Sequence, residues 1–340
     1  MDVLSEVLKV VRLDGAVFYG GEFSAPWSFQ SPASCRLAPY LAPGSSHLII
    51  YHLITEGRGF AQIEGGSRLP LEAGDIVVFP HGDPHLMANG PLHKPVDSEK
   101  ELQRILCEGL KLVRMGGGGE VTRVVCGFMG CDQRLSSLFL AGLPPVFKIN
   151  IRSDASGKWL ENSIRFSVDE ADASRAGGEA VLAKLSEALF VETLRRYVAQ
   201  LPAGQTGWLG GARDPEVGRA LALMHRNPAQ PWTIAGLATE AGISRSVLAE
   251  RFRQYLGEPP MTYLTRWRLQ LGAQMLNSTS YSVAQIAAEV GYESEPAFNR
   301  AFKREFNLPP ARFRTESRSS RDESKSPTNV QENRRAAIGG

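Results

Sequence analysis

The first half of the chain, over about residues 14–151, contains short β-rich runs separated by glycine and proline turns. The runs are HLIIYHLI, GFAQI, DIVVFP, VTRVVCGF and VFKINI. This pattern is typical of an antiparallel barrel or sandwich. The stretch from Asn89 to Gly119 interrupts it with polar residues and a run of four glycines at its end. It predicts a long mobile insertion, with a short helix around Glu99 to Leu110.

After about residue 178 the spacing of apolar residues becomes helical. The positions that define the helix are Val181, Leu185, Leu189, Leu194, Val198 and Leu201. Such a helix either packs on its own barrel or forms a dimerisation surface, and the sequence leaves both open. From Pro202 to Pro215 the composition is that of a linker, and Asp214-Pro215 supplies an N-cap and a first-turn proline for a new helix.

These changes of pattern divide the chain into four parts. We expect a β-rich domain at residues 1–177, a helix and linker at 178–213, and a helical domain at 214–316. The tail at 317–340 lacks aromatic residues and clustered apolar residues, and we expect it to be disordered.

One internal duplication lies in the helical C-terminal part. The copies are IAGLATEAGISRSVLAERFRQYLGEPP and VAQIAAEVGYESEPAFNRAFKREFNLPP. The offset between them is 49 residues from Ile234 to Val283 and 50 residues from Phe252 to Phe302. The second copy therefore carries one extra residue in its turn.

Each copy fits a helix-turn-helix. Gly242 and Gly291 can take the positive φ that ends a short helix, and Ser244 and Ser294 can cap the helix that follows. The predicted core positions are Leu237, Ala238, Val247, Leu248 and Phe252 in the first copy and Ile286, Ala287, Phe298, Ala301, Phe302 and Phe306 in the second.

A single helix of 17 residues, from Met261 to Asn277, is predicted between the copies. At about 1.5 Å per residue it is about 25 Å long. It can hold two recognition helices about one turn of duplex apart, roughly 34 Å, on one side of double-stranded DNA. The spacing therefore favours a DNA-binding domain over a structural helical bundle.

Residues 215–314 resemble the DNA-binding domain of the AraC/XylS family of transcription regulators. The matching residues are Arg268, Ala273, Gly291-Tyr292, Phe298, Ala301-Phe302-Lys303, Phe306 and Pro309-Pro310. The resemblance implies two recognition helices of unequal role and asymmetric promoter sites. It also implies a homodimer, RNA polymerase as a partner and, more often than not, activation of transcription.

Candidate DNA contacts are the early positions of each recognition helix that the core does not use. They are Arg245, Ser246, Ala249, Glu250 and Arg253 in the first unit and Glu295, Pro296, Ala297, Asn299, Arg300 and Lys303 in the second. Arg300 suits guanine and Asn299 suits adenine. Glu250 either accepts from a cytosine amino group or pairs within its own helix. Candidate phosphate contacts are Arg251, Arg266, Arg268, Arg304 and Arg312. For each of them alone, a solvated surface charge is an equally good interpretation.

The net charge of the chain and of its helical domain is small. The chain of 340 residues has a formal net charge of +2, and the helical domain has 12 basic against 10 acidic residues between Asp214 and Glu316. Base contacts and dimerisation must therefore carry much of the affinity for DNA.

The start of the chain lacks a signal-peptide pattern, no segment reaches the length of a membrane span, and four cysteines do not make a disulfide framework. We expect a cytoplasmic protein.

The segment from Gly74 to Asn89 resembles the second motif of the cupin superfamily, G-x5-P-x-G-x2-H-x3-N, which places His85 at a metal-ligand position. The first cupin motif is degraded: only His47 and His52 precede its turn, and no H-x-H is present. A three-histidine, one-glutamate oxygenase centre is therefore not expected. The fold class is α+β: a cupin-like β-barrel followed by helices, then an all-α domain with two helix-turn-helix units.

The N-terminal half is similar to the cupin-type sensor of an AraC subgroup that includes reactive-chlorine regulators. His52, His85 and Cys126 match residues of that subgroup, which suits zinc or another divalent metal. Cys126 or Cys131 alternatively acts as an oxidation sensor. An effector pocket for a small molecule also stays open. We predict a regulator and not an enzyme, the alternative being a cupin-type metalloenzyme with an accessory DNA-binding domain.

Overall fold

The computed structural model describes residues 4–5, 19–42, 45, 47–91, 96–97, 113–131, 140, 142–172, 177–202 and 204–316. They form two compact units. The first contains the described residues between 19 and 131 together with 144–200, and the second contains those from 201 onward together with residues 4–5, 140 and 142–143. The predicted helix at Glu99 to Leu110, Cys107 and the tail at 317–340 lie outside the described residues.

The first unit is built around two β-sheets. One has the strand order β11-β6-β3-β10-β1-β9 and the other β5-β4-β7-β2-β8. The strands are β1 (Tyr19–Ser24), β2 (Trp27–Ser31), β3 (His47–Glu56), β4 (Arg58–Ile63), β5 (Leu69–Glu72), β6 (Asp75–Phe79), β7 (His85–Asn89), β8 (Val96–Asp97), β9 (Val113–Gly116), β10 (Val121–Cys131) and β11 (Phe147–Asn150). Each of the five predicted runs coincides with a strand of this cupin-like unit, apart from the end residues Pro80, Val146 and Ile151.

Two parts of the β prediction need correction. The pairs β1–β9 and β2–β8 are parallel, whereas the sequence pattern suggested a purely antiparallel arrangement. Val113–Gly116, assigned to the mobile insertion, forms strand β9 beside β1. Its pairing partner Gly21–Ser24 is distant in sequence, so the local pattern carries no sign of it.

The central strands are buried on both faces. All residues of β3 except Glu56 are buried, and so are all five of β6. One face of β3, with Leu48, Ile50 and Ile54, contributes to the core between the sheets. The other lies under helices, which explains why β3 has a continuous apolar run instead of an alternating one.

Three helices pack against the two sheets. The first unit contains α1 (Ser34–Leu41), α2 (Ala155–Asp172) and α3 (Gly178–Gln200). Helix α3 packs on β10 and β11: Tyr197 lies 4.3 Å from the ring of Phe147, and Tyr51 donates a hydrogen bond to Ser186 at 3.1 Å. The structure therefore supports packing of α3 on its own barrel. Val181, predicted on the buried face, is half exposed.

Helix α2 was missed by the sequence analysis. It is anchored by Arg152, which forms an ion pair with the buried Glu161 and donates to the carbonyl of Thr55 on β3. Leu160 and Ile164 are its buried apolar residues. The helix packs along α3 as the other arm of a helical hairpin.

The second unit is entirely helical in its described residues. Its helices are α4 (Trp208–Arg213), α5 (Pro215–Arg226), α6 (Ile234–Ala241), α7 (Arg245–Leu256), α8 (Pro260–Ser278), α9 (Val283–Glu289) and α10 (Glu295–Phe306), followed by helical residues 310–316. The stretch with linker composition thus contains α4, in which Trp208 and Leu209 are buried. Asp214 caps α5 as predicted, accepting from the backbone of Glu216 and Val217.

A stack of rings forms the core between α5 and α8. His225 lies 3.9 Å from the ring of Trp267 and 5.8 Å from that of Tyr263. Trp208 donates to the Tyr263 hydroxyl, which is 2.8 Å from His225 Nε2 and donates to that nitrogen. Burial lowers the pKa of His225 to about 3, so this histidine is neutral in the folded unit.

Candidate DNA-binding surface and sensor site

The first helix-turn-helix consists of α6 and α7. Thr233 caps α6, and Gly242 ends it in the left-handed conformation with φ of 78°. Ser244 caps α7 by accepting from the backbone of Val247, and Leu248 and Phe252 are the buried residues of α7. The glycine, the serine cap and the two buried positions follow the sequence prediction, whereas the Thr233 cap was not predicted.

The second helix-turn-helix, α9 and α10, repeats this frame. Gly291 has φ of 84°, and Ser294 caps α10 by accepting from the backbone of Ala297. Phe298 and Phe302 take the buried positions that Leu248 and Phe252 take in α7. Both recognition helices are 12 residues long, so each residue of α7 has a counterpart in α10.

Helix α8 joins the two helix-turn-helix units. It spans Pro260–Ser278, two residues longer than predicted, and is about 28 Å long. One face packs against α7 and the other against α9 and α10. Leu269, Ala273 and Leu276 of α8 belong to the core of the second helix-turn-helix. The helix is thus a packed spacer and not an isolated rod.

The predicted DNA contacts lie on the outer faces of α7 and α10. The exposed residues are Arg245, Ser246, Glu250, Arg253, Glu295, Pro296, Arg300 and Lys303, while Ala249, Ala297 and Asn299 are half-buried. In the described part of the chain, Glu250, Asn299, Arg300 and Lys303 form no ion pair or side-chain hydrogen bond. They are available to a ligand.

The two recognition faces carry opposite charges at equivalent positions. Arg245 is the first residue of α7 and Glu295 the first of α10. Five residues later α7 has Glu250, while α10 has Arg300. Because the backbone frames match, this inversion is a property of the side chains alone.

Three of the arginines considered as phosphate contacts have partners in other segments of the unit, and a fourth, Arg312, pairs with Glu316 one turn further along its own helix. Arg251 forms ion pairs with Asp214 and Glu216 at 3.0 and 2.6 Å. Arg266 pairs with Glu258, and Arg268 donates to the carbonyls of Pro228 and Gln230. The first role of Arg251, Arg266 and Arg268 is therefore to join helices within the unit.

A shallow cavity of about 300 Å³ flanks α10. Its apolar floor is formed by Val283 and Pro309–Ala311, and its rim includes Asn299, Arg300 and Lys303. Sequence reasoning did not find this cavity, because only folding brings Val283 and Pro309–Ala311 beside α10.

The first unit brings together the three residues predicted as a metal or redox site. His52 on β3 is paired in register with Cys126 on β10, and its Nδ1 lies 2.9 Å from Cys126 Sγ. On its other side, His52 Nε2 lies 2.8 Å from Nε2 of His85 on β7. His85 Nδ1 donates to the carbonyl of Asp83 at 2.9 Å.

All three side chains are buried between the sheets. The ring of His85 stacks on Phe79 at 3.6 Å, and His52 has edge contacts with Phe29 and Phe79. Burial lowers the pKa of His85 to about 4, and burial together with His85 holds the pKa of His52 well below its usual range. Both imidazoles are therefore neutral.

This arrangement does not fit a single metal ion held by all three residues. His52 presents one ring nitrogen to Cys126 and the other to His85, and one imidazole can offer only one of them to a given ion. No group of three or more histidine, cysteine, aspartate or glutamate residues suited to a metal is found among the described residues. The zinc site stays a prediction.

The other cysteines are placed differently. Cys131 is buried on β10 and pairs in register with His47, whose Nε2 donates to the carbonyl of Pro80. It lies five residues from Cys126, which on a strand means the opposite face and a separation of about 16 Å. A disulfide between them is therefore excluded in this fold. Cys35 is exposed on α1.

Known proteins match both units. Residues 2–199 match the family described as "Cupin", and residues 237–316 match the family described as "Helix-turn-helix domain". No helix among the described residues has the length and apolar character needed to span a membrane.

Curated relatives match along nearly the whole chain. An AraC-like transcription regulator of Streptomyces lividans is 30% identical over 92% of this chain and 98% of its own length. The HTH-type transcriptional regulator AlkR of Acinetobacter baylyi is 28% identical over 93% and 100%. The RCS-specific HTH-type transcriptional activator RclR of Escherichia coli is 27% identical over 92% and 97%.

These relatives are transcription regulators and not enzymes, which removes the alternative of a cupin metalloenzyme. The fold of each unit agrees with that assignment. The chain therefore belongs to the AraC-type DNA-binding transcription regulators that carry an N-terminal cupin domain.

Proposed function

We propose that this regulator responds to an oxidant that reacts with Cys126, and that the response changes its activity at promoter DNA as a transcription activator. The observation that carries the proposal is the hydrogen-bonded chain Cys126–His52–His85–Asp83 inside the cupin unit. The E. coli relative named as an RCS-specific activator adds support for an oxidant of the reactive-chlorine class.

The donor and the acceptor of each of these hydrogen bonds can be assigned by starting from the Asp83 carbonyl. The carbonyl of Asp83 can only accept, so neutral His85 carries its proton on Nδ1 and accepts at Nε2. His52 must then donate from Nε2, which leaves its Nδ1 as an acceptor for the thiol of Cys126. The thiol proton is thus directed at a base.

Burial keeps the resting state neutral, because an isolated ion pair between the sheets would be poorly solvated. His52 therefore takes the proton only as sulfur attacks. With hypochlorous acid, sulfur attacks chlorine, the S–Cl bond forms and the O–Cl bond breaks, and the departing hydroxide takes the thiol proton back from His52 and leaves as water. Water then displaces chloride, its extra proton passes through His52 to solvent, and the sulfenic acid remains. Sulfur loses two electrons and chlorine gains two.

The pairing of β3 with β10 also allows a structural change at Cys126 to reach helix α3. Cys126 and His52 face the space between the sheets, while their neighbours Gly127 and Tyr51 face outward. Tyr51 lies against Gly127 so closely that a Cβ at position 127 would overlap its ring, and its hydroxyl donates to Ser186 on α3. An added oxygen at Cys126 would displace β10 against β3 and so move Tyr51 and α3. Helix α3 is the last element before the DNA-binding unit in the sequence.

The test uses the purified full chain and hypochlorous acid in equimolar amount. We expect sulfenic acid at Cys126, trapped by a dimedone-type reagent and located by mass spectrometry, together with a change in promoter affinity. Cys126→Ser should abolish the change, whereas Cys35→Ser, which removes an exposed thiol, should preserve it. His52→Leu should slow the trapping reaction at least tenfold.

Two results would overturn the proposal. In the first, Cys126→Ser retains the promoter response. In the second, the purified protein contains one equivalent of metal that is lost in both His52→Leu and Cys126→Ser, which would replace the oxidant by the metal predicted from the sequence.

A further inference from the structure

Helix α8 packs with its first half beside one helix-turn-helix and with its second half in the core of the other. Trp267 is stacked at 3.9 Å on His225 of α5, and α5 packs on α6 and α7. Leu269 belongs to the core of the second helix-turn-helix. The change from one side to the other therefore falls at Arg268. If α8 alone joined the two, bending at this point would change the distance between the recognition helices.

A loop of the first half of the DNA-binding unit touches the turn of the second helix-turn-helix. The loop consists of residues 227–233, between α5 and α6. A Cβ at Gly291 in the turn would lie 2.7 Å from the Cα of Ala229 and 3.0 Å from its carbonyl oxygen, so the two backbones are in direct contact. The two halves of the DNA-binding unit are thus joined at a second point besides α8.

Arg268 holds this contact together. Its Nε donates to the carbonyl of Pro228 at 2.7 Å, and its Nη2 donates to the carbonyl of Gln230 at 2.8 Å. The same Nη2 would lie 3.0 Å from a Cβ at Gly291. A guanidinium has a planar set of donors that can bind both carbonyls at once. The loop is thereby held on α8 directly beside the turn of the second helix-turn-helix.

Arg266 forms another tie on a different side of α8. Residues two positions apart in a helix point about 200° away from each other, so Arg266 and Arg268 lie on nearly opposite sides. Arg266 pairs with Glu258, in the loop after α7, at 3.1 Å and with Glu305 of α10 at 3.4 Å. These ion pairs are partly exposed and individually weak. The two carbonyl bonds of Arg268 are therefore the stronger restraint on bending of α8.

We propose that Arg268 is the positioning residue that sets how many base pairs separate the two DNA segments read by α7 and α10. One added base pair moves a segment by about 3.4 Å along the duplex and rotates it by about 35°. While Arg268 holds the loop, the recognition helices cannot follow this change, and one of them loses its base contacts. Without Arg268, α8 can bend and both helices can reach the DNA. The proposal does not depend on the chemistry of Cys126.

Binding of the full chain to DNA of altered spacing tests the proposal. The probes are a duplex selected from random sequence by the wild-type chain and two derivatives, in which one base pair is inserted or removed between the two segments that the protein protects. The wild-type chain should bind both derivatives about tenfold more weakly or worse, because one bidentate base contact is lost. Arg268→Met keeps the apolar stem without the donors and should reduce this ratio to about threefold or less. Partial unfolding lowers the affinity for all three duplexes alike, so the ratio separates positioning from stability.

Two further variants complete the test. Arg268→Lys should give an intermediate ratio, because an ammonium group lacks the planar fork that binds two carbonyls, and it is the variant to measure if Arg268→Met does not fold. Arg219→Met, which removes an exposed arginine from α5, should keep the wild-type ratio. Equal binding of the three duplexes by the wild-type chain would overturn the proposal. So would a wild-type ratio in the Arg268 variants, since an equal loss on all three duplexes is the result expected of a phosphate contact.

Discussion

Gly272 in the middle of α8 offers a test of how tightly the spacer helix holds the second recognition helix. Replacing an interior helical glycine by alanine ordinarily stabilises a helix by about 1 kcal/mol. At position 272, however, an added Cβ would lie 2.8 and 2.9 Å from ring atoms of Phe298 on α10. Phe298 is fully buried and packed against Tyr292 and Phe302, so its ring has no free space to move into.

The overpacking cost of about 1–3 kcal/mol therefore exceeds the gain in helix propensity. We expect Gly272→Ala to destabilise the DNA-binding unit by about 1 kcal/mol and to weaken promoter binding, because α10 must shift. The calorimetric transition of this unit, identified by its upward shift when promoter DNA is added, gives the measurement.

Gly236 provides the matched control. It also lies in a helix, but an added Cβ there meets only the Thr233 hydroxyl at 3.4 Å. Gly236→Ala should therefore raise the same transition. If Gly272→Ala also raised it, the close approach of α8 and Phe298 would not limit the packing of the second helix-turn-helix.

Three further predictions concern the DNA-binding unit. Arg300→Ala should cost about 1–3 kcal/mol on the cognate site in a mobility-shift titration and relax the preference at one base pair, whereas an equal loss on random DNA would mean that Arg300 contacts only phosphate. Because the pKa of His225 falls from 6.5 to about 3 on folding, its contribution to stability is complete above pH 6.5 and is lost toward pH 3 by up to about 1.4 kcal/mol per pH unit. His225→Phe should remove that slope in urea unfolding between pH 7 and 5, and an unchanged slope would assign it to another group. Asp214→Ala should destabilise the unit by about 1 kcal/mol in the same assay, because it removes the cap of α5. Asp214→Asn still caps the helix and should cost much less. Equal losses would mean that the ion pair of Asp214 with Arg251 contributes more to stability than the cap does.

The helix-turn-helix units were predictable because their determinants are local. A capping serine, a glycine with positive φ and an apolar spacing of four residues all act within one turn or two, and the duplication displayed each of them twice. The strands β3 and β6 were predictable for a similar reason, since each is one uninterrupted apolar run. Parallel pairing of β1 with β9 was not, because register between distant segments leaves no local pattern.

Helix α2 was missed because its apolar residues lie on two opposite faces. Leu160 and Ile164 face the unit while Trp159 and Phe166 face away, so no single amphipathic stripe appears in the sequence. Helix α4 was missed because Gly210 and Gly211 resemble linker residues, although both are buried. The sensor residues were found by motif, but their order was not, because only the register of β3 with β10 determines that His52 lies between Cys126 and His85.

The two recognition helices differ in their exposed charges, and this difference bears on the orientation in which the protein binds DNA. They share the same length, a serine N-cap and equivalent buried positions, so we expect any difference in what they bind to come from their exposed side chains. Those side chains have inverted charges at Arg245 and Glu295 and again at Glu250 and Arg300. An arginine at one position favours the acceptor edge of guanine, while a glutamate there favours an amino group of cytosine. Two identical half-sites would offer favourable base contacts to one helix and unfavourable ones to the other. We therefore expect the preferred site of one copy to be asymmetric, so that each copy binds it in only one orientation.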